Sequence, residues 1–342
     1  MRLKTRRRRL ANDWWVMAGL GPLFRRRDEL MKVAYVFPGQ GSQWVGMGRD
    51  LYDNFDSARA VFEQADEALE FPLSRLCFEG PEDELRQTIN AQQAIVTVSL
   101  ACLRAIGEVN GNGVFPSPAF VAGHSLGEYT ALAAAKVLDL ATTVCLARER
   151  GRLMYEAGLK RPGGMVAVIG LDEASLVEVG EETGTRIVNF NCPGQLVISG
   201  AEENLTKAAD LAKAKGARRT VPLSVSGAFH TSLMQPAFDG MSEIIATLSF
   251  HDPVVPIVAN TTAQPITTSE MVKTELLRQL CNGIEWQRSI EFMVDEGVST
   301  FVEIGPGNVL SGLIKRIDKN VKTLNIGDAE AIMNVKANGG VI

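Results

Sequence analysis

The sequence predicts an α/β fold, a sheet flanked by helices with a small module inserted into it, and three observations lead there. Strand-like and helix-like patterns alternate from residue 31 onward, and no fixed-period repeat or low-complexity stretch interrupts them. Between residues 161 and 226 six elements follow in the order βαββαβ, which is ferredoxin-like. Pro162-Gly163-Gly164 opens that run and Ser226-Gly227 closes it, both suitable junction chemistry.

Short apolar runs at Val33–Phe37, Ala119–Ala122, Val254–Ala259 and Thr300–Ile304 read as strands buried on both faces, and Ala91–Ile106 as a helix beside them. Within the insert the reading is strand Met165–Gly170, helix Glu173–Glu182, strands Arg186–Asn191 and Leu196–Gly200, helix Glu202–Lys215 and strand Arg219–Val225. The domain division is therefore 31–160 with 227–342 as a large α/β core and 161–226 as the small inserted domain. An insert of this kind creates a cleft, where substrates commonly sit.

The composition, 46% hydrophobic and 22% charged over 342 residues, is that of a globular chain with a sizeable core. A net charge of −5 argues against a general nucleic-acid binder. Five scattered cysteines without a CxxC pair, and three histidines without HExxH spacing, point to a reducing compartment and no metal centre.

Residues 1–30 stand apart: nine Lys/Arg against three acids give +6, so the remainder carries −11 of the chain's −5. The apolar stretch Trp14–Phe24 is too short to span a bilayer, no A-x-A-like cleavage site follows it, and the segment lacks Ser. It reads as a basic, disordered extension or as an upstream translation start before Met31.

The sharpest local signal is Gly123-His124-Ser125-Leu126-Gly127, a G-x-S-x-G between an apolar strand and the helix-prone run Glu128–Val137. Strand, tight turn and helix form the context of a nucleophile elbow, with Ser125 presented to the cleft. A serine hydroxyl needs a base. His124 adjoins the nucleophile and should point elsewhere, and His251 sits in a loop before Pro253; His230, where the chain returns from the insert, remains. No acid stands out to orient it, and a backbone carbonyl is the other way to do so.

On the helix Leu140–Ala157, at about 100° per residue, Arg150 falls among Leu146, Ala147, Leu153 and Met154, whereas Arg148 and Arg152 face the other, solvated way. A buried arginine needs an anion, either an acid of the core or a substrate carboxylate gripped by two parallel hydrogen bonds. The loop 37–43 holds two glycines and is either a tight turn or a ligand loop; it is not a Walker loop. An oxyanion hole needs the N–H after the nucleophile and one from a neighbouring strand loop, places that Leu126 and Gln40 fit. Lys207, Lys213, Lys215, Arg218 and Arg219 form a basic face on the insert that either docks an acidic partner or is simply solvated.

Across residues 31–327 the chain resembles the malonyl-CoA:acyl carrier protein transacylases, through FPGQGSQ at 37–43, GHSLGEY at 123–129, RGRLM at 150–154, GGMVAVIG at 163–170, NFNCPGQLVISG at 189–200, GAFH at 227–230, RQL at 278–280 and EIGPG at 303–307. The resemblance implies an α/β-hydrolase-like core with a ferredoxin-like insert. It also implies acylation of Ser125, acid–base work by His230, a carboxylate grip by Arg150, oxyanion contacts from Gln40 and Leu126, and a main-chain carbonyl at Gln279 that orients the histidine. Met154 and Phe229 would line the substrate pocket, and Phe229 would crowd a C2 methyl and so favour malonyl over methylmalonyl. The implied partners are malonyl-CoA and acyl carrier protein, with no cofactor, no nucleic acid and no membrane span, in a cytoplasmic monomer. A trans-acting polyketide synthase acyltransferase is the alternative; a serine esterase or thioesterase, or a non-catalytic carrier-binding scaffold, fits less of the pattern.

Overall fold

In the computed structural model, residues 32–109 and 115–337 are described; the expectation for residues 1–30 lies outside them. Ten strands occur among the described residues: β1 Lys32–Phe37, β2 Phe120–Gly123, β3 Gly163–Ile169, β4 Arg186–Cys192, β5 Gln195–Ala201, β6 Arg219–Pro222, β7 Ile257–Val258, β8 Pro265–Ile266, β9 Val298–Ile304 and β10 Lys322–Ile326. They form two sheets, six-stranded β10-β9-β1-β2-β7-β8 and four-stranded β4-β5-β3-β6. The large sheet is parallel from β10 through β7, and only β8 runs antiparallel. The small sheet is antiparallel throughout.

The large sheet is buried on both faces because alternate side chains of its central strands enter different cores. Val33, Tyr35 and Phe37 of β1 join one apolar cluster, with Leu126, Tyr129 and the helices on that side. Ala34 and Val36 join another with Trp286, Ile290 and Leu313. The small sheet has its own core, in which Val166, Val168 and Ile198 meet Leu176, Val179, Leu205 and Ala208 from the two helices Glu173–Thr183 and Glu202–Ala214. The helix Thr88–Val109 is long and apolar enough to cross a membrane, yet 78% of its most apolar window is buried, packed against the helices Asp56–Leu69 and Leu140–Lys160.

Several boundaries differ from the sequence reading for local reasons. The expected strand Val254–Ala259 shrinks to Ile257–Val258, since Pro253 and Pro256 supply no N–H to a ladder. The helix opened by the elbow ends at Ala134, where Lys136 turns left-handed at φ 60°, and does not reach Val137. The edge strand Lys322–Ile326 adds to the strands expected from sequence; only Ile326 in it is buried, so it lacks the apolar run of its neighbours.

Because β1 and β2 are parallel neighbours, with Phe37 opposite Gly123, their carboxyl ends open on the same side of the sheet. Ligands of open α/β sheets bind at such ends. The loop 38–48 and the Ser125 turn leave from them.

Candidate active site

The turn after β2 is tight enough to dictate its residues. A Cβ on Gly123 would come within 1.9 Å of the Gly127 carbonyl carbon, and one on Gly127 within 2.1 Å of the Phe37 carbonyl oxygen. Both glycines are therefore required for β2, the helix behind it and the β1 loop to pack this closely. Ser125, between them, sits at φ 50°, a left-handed conformation that costs a non-glycine residue about 1–2 kcal/mol. This local strain aims the hydroxyl out of the turn.

Ser125 Oγ lies 2.9 Å from His230 Nε2, and His230 Nδ1 lies 2.6 Å from the main-chain oxygen of Gln279. A carbonyl only accepts, so Nδ1 carries the ring proton and Nε2 offers its lone pair to the serine hydroxyl. His230 is itself left-handed at φ 62° and buried. Burial, and next the Arg150 cation, push its pKa down to about 3. The ring is thus a neutral base at ordinary pH.

That shift sets a pH dependence. The acid limb of kcat/KM should lie far below 6.5, with activity still near its plateau at about pH 5, whereas a fall centred near 6.5 would contradict a base held neutral by burial. Stability should move the same way. Below 6.5 the unfolded chain protonates this histidine while the folded one does not, so stability contributed by the site falls as pH drops from 6.5 toward about 3.

Arg150 is 1% exposed on the inner face of the helix Leu140–Lys160. Its Nη1 donates to Gln92 Oε1 at 2.8 Å, and its Nη2 to Gln279 Oε1 at 2.7 Å and Ser125 Oγ at 3.1 Å. The guanidinium stacks on the Tyr129 ring at 5.3 Å, and its Nε has no acceptor. Among the described residues no carboxylate pairs with it, which leaves a buried cation with neutral partners and an unused donor beside the serine. Arg148 and Arg152 are half-buried rather than solvated. Arg148 donates to the Leu69 carbonyl at 2.7 Å and lies over Phe71, and Arg152 pairs with Glu149 and Glu156. Both guanidinium groups are thus taken up by protein partners.

Gln40 lies in the loop after β1, and its side chain donates to Thr88 Oγ1 at 3.0 Å. The main-chain N–H groups of Gln40 and Leu126 donate to no protein acceptor among the described residues. Such amides can receive a developing oxyanion. Met154 and Phe229 are both buried, Met154 with its sulfur 3.6 Å from Gln92 Nε2. His124 turns away, as its position suggests, to Asn191 Oδ1 of the small sheet at 2.9 Å. His251 is exposed.

Sequence reasoning missed the polar hub behind these groups. Gln279 Nε2 donates to the Ser125 carbonyl at 3.0 Å and to Glu128 Oε2 at 2.6 Å, and the Asn260 N–H donates to Glu128 Oε1 at 2.9 Å. Burial, and next the Glu275 charge, push the Glu128 carboxyl well above its ordinary range despite those two donors. Gln92 alone left a trace in the sequence, a glutamine pair inside the apolar run Ala91–Val98.

A serine, a histidine oriented by a carbonyl, and a caged arginine can perform acyl transfer to and from a hydroxyl. The acyl transferase domain profile matches residues 34–338. The chain belongs to the acyl transferase domain family. This acyltransferase is 43% identical over 308 residues to the malonyl CoA-acyl carrier protein transacylase of Bacillus subtilis (strain 168), a match covering 89% of the chain and 96% of that relative. It is similar to the crystal structure of acyl-carrier-protein-S-malonyltransferase from Bartonella henselae, with TM-score 0.86 and 42% identity over 91% of the chain and all of that one (100%). It also resembles a malonyl-transacylase solved in complex with a type II PKS acyl-carrier protein, with TM-score 0.85, 38% identity, and 90% and 99% coverage.

Proposed function

We propose that this acyltransferase moves malonyl from coenzyme A to the phosphopantetheine thiol of an acyl carrier protein, through an ester on Ser125, in fatty acid or polyketide synthesis. The observation that carries the reading is a buried guanidinium with no carboxylate paired to it among the described residues, 3.1 Å from the serine oxygen that contacts the histidine. An acyl group that ends in a carboxylate meets both needs at once: its carbonyl faces Ser125 and its free carboxylate meets Arg150. A simple esterase has no use for that cation.

His230 Nε2 takes the hydroxyl proton as Ser125 Oγ attacks the thioester carbonyl, and the Gln40 and Leu126 amides receive the oxyanion. Collapse expels the coenzyme A thiolate, which takes the proton from His230. The carrier thiol then gives its proton to the same nitrogen and attacks the ester, and Ser125 leaves with that proton. The carbonyl of Gln279 steadies the imidazole through both halves. The groups already in the site meet every charge the exchange develops, which supports a reaction without a resident cofactor. Met154 and Phe229 would form the acyl pocket, with Phe229 crowding a C2 methyl.

The same reading takes 161–226 as the inserted domain and 31–160 with 227–342 as the core, supported by the element run from β3 to β6, and takes the enzyme as a monomer. The basic face of the insert is weaker than its sequence suggests. Lys215 is held by Glu178 at 2.8 Å and Glu182 at 3.7 Å, and Lys213 by Asp210 at 3.4 Å. Lys207, Arg218 and Arg219 are the exposed cations left for an acidic carrier.

Incubation with malonyl-CoA followed by peptide mass analysis should find the malonyl mass on the Ser125 peptide, and added holo carrier should remove it. A label that water removes as fast as the carrier would make the chain a hydrolase.

A further inference from the structure

Ser125 holds a left-handed φ of 50°, and the turn's own hydrogen bonds do not explain why it stays there. Its N–H is taken from outside the turn, by Asn260 Oδ1 at 2.6 Å. The other end of the same amide, Asn260 Nδ2, donates to the Gly123 carbonyl at 2.7 Å. One side chain therefore clasps the elbow on both sides of His124. Asn260 can reach because it follows β7, the parallel neighbour of β2, with Val121 opposite Ile257 and Ala122 opposite Val258. It stands just past the last paired residue of β7, as the elbow stands just past β2.

Asn260 is itself fixed. It is 1% exposed, its N–H donates to Glu128 Oε1 at 2.9 Å, and its carbonyl accepts from the Glu285 N–H at 2.7 Å. Glu128 in turn holds Gln279 Nε2, so the clasp and the residue that orients His230 share one carboxyl. Every polar group of Asn260 is used, and both ends of its side-chain amide are spent on the elbow.

We propose that Asn260 is a positioning residue, which holds the Ser125 turn so that the hydroxyl stays within reach of His230. This rests on the acyl-ester reading above. The hydrogen bonds of Asn260 go to the elbow, Glu128 and Glu285 and none to Arg150, so its loss should slow attack on any thioester equally and leave substrate binding alone.

The test is the single-turnover rate of Ser125 acylation, counted per titratable site, with malonyl-CoA and acetyl-CoA in turn. Asn260→Ala should slow both by about the same factor, on the order of 100-fold, with the malonyl-CoA KM within about twofold of wild type. Asn260→Asp keeps the acceptor for the Ser125 N–H but sets an oxygen against the Gly123 carbonyl, so it should lie between, at about tenfold. It also serves if the alanine variant does not fold. A rate per site unchanged in either variant, or a loss confined to malonyl, would overturn the assignment. Wild type run alongside separates the two readings, since failure of the ester mechanism would show there and failure of the clasp only in the variants.

Discussion

Replacing Ser125 with alanine should abolish the acyl-enzyme and lower malonyl transfer by about 10⁴-fold or more, the scale seen when an activated nucleophile is deleted. The substitution removes one oxygen, its contact with His230 at 2.9 Å and its contact with Arg150 at 3.1 Å. It leaves the backbone clasp to Asn260 in place, because that bond uses the main-chain N–H. The variant should therefore fold and melt close to wild type while intact mass after malonyl-CoA shows no adduct. Transfer to the carrier at an undiminished rate would mean that some other group carries the acyl chain.

Arg150→Ala should separate two acyl groups that the Ser125 variant cannot distinguish. Loss of a desolvated, charge-assisted contact costs about 2–5 kcal/mol, so kcat/KM for malonyl transfer should fall by about 30-fold to several thousand-fold. Acetyl transfer has no carboxylate to lose and should fall far less. The variant will also be less stable, since the buried acceptors Gln92 Oε1 and Gln279 Oε1 lose their donor, at about 1–3 kcal/mol for each one left unsatisfied. Rates must accordingly be taken per active site. Equal losses for both acyl groups would strip Arg150 of its role as the carboxylate grip. Arg150→Lys should not rescue, because a single ammonium lacks the planar fork that reaches Gln92 and Gln279 at once.

What the sequence revealed was whatever lies close together along the chain. The elbow was legible because strand, glycines and helix follow one another directly between Phe120 and Ala134, and Arg150 because a helical period separates its face from that of Arg148 and Arg152. The βαββαβ run was legible for the same reason, each element being local. The hub was not: Asn260 meets Ser125 across 135 positions, and Gln279 meets Glu128 across 151. Nothing near those residues marks them as partners. The group that steadies His230 is a main-chain carbonyl, which has no side-chain signature, so only family resemblance pointed to Gln279. Exposure hid the rest. Arg148 and Arg152 face away from Arg150 yet find a carbonyl, a ring and two carboxylates there, and strand Lys322–Ile326 forms by edge pairing with β9 rather than by an apolar run of its own.

The partners of Arg150 bear on the enzyme before substrate arrives. Two amide oxygens, a hydroxyl and an aromatic ring stabilise a guanidinium without neutralising it, and burial pushes the nearby Glu128 carboxyl toward its uncharged form. On the proposed reading, the carboxylate of the acyl group would bring to this guanidinium the paired anion that its protein hydrogen-bond partners do not supply. Loading with a malonyl group and resistance to unfolding should then rise together.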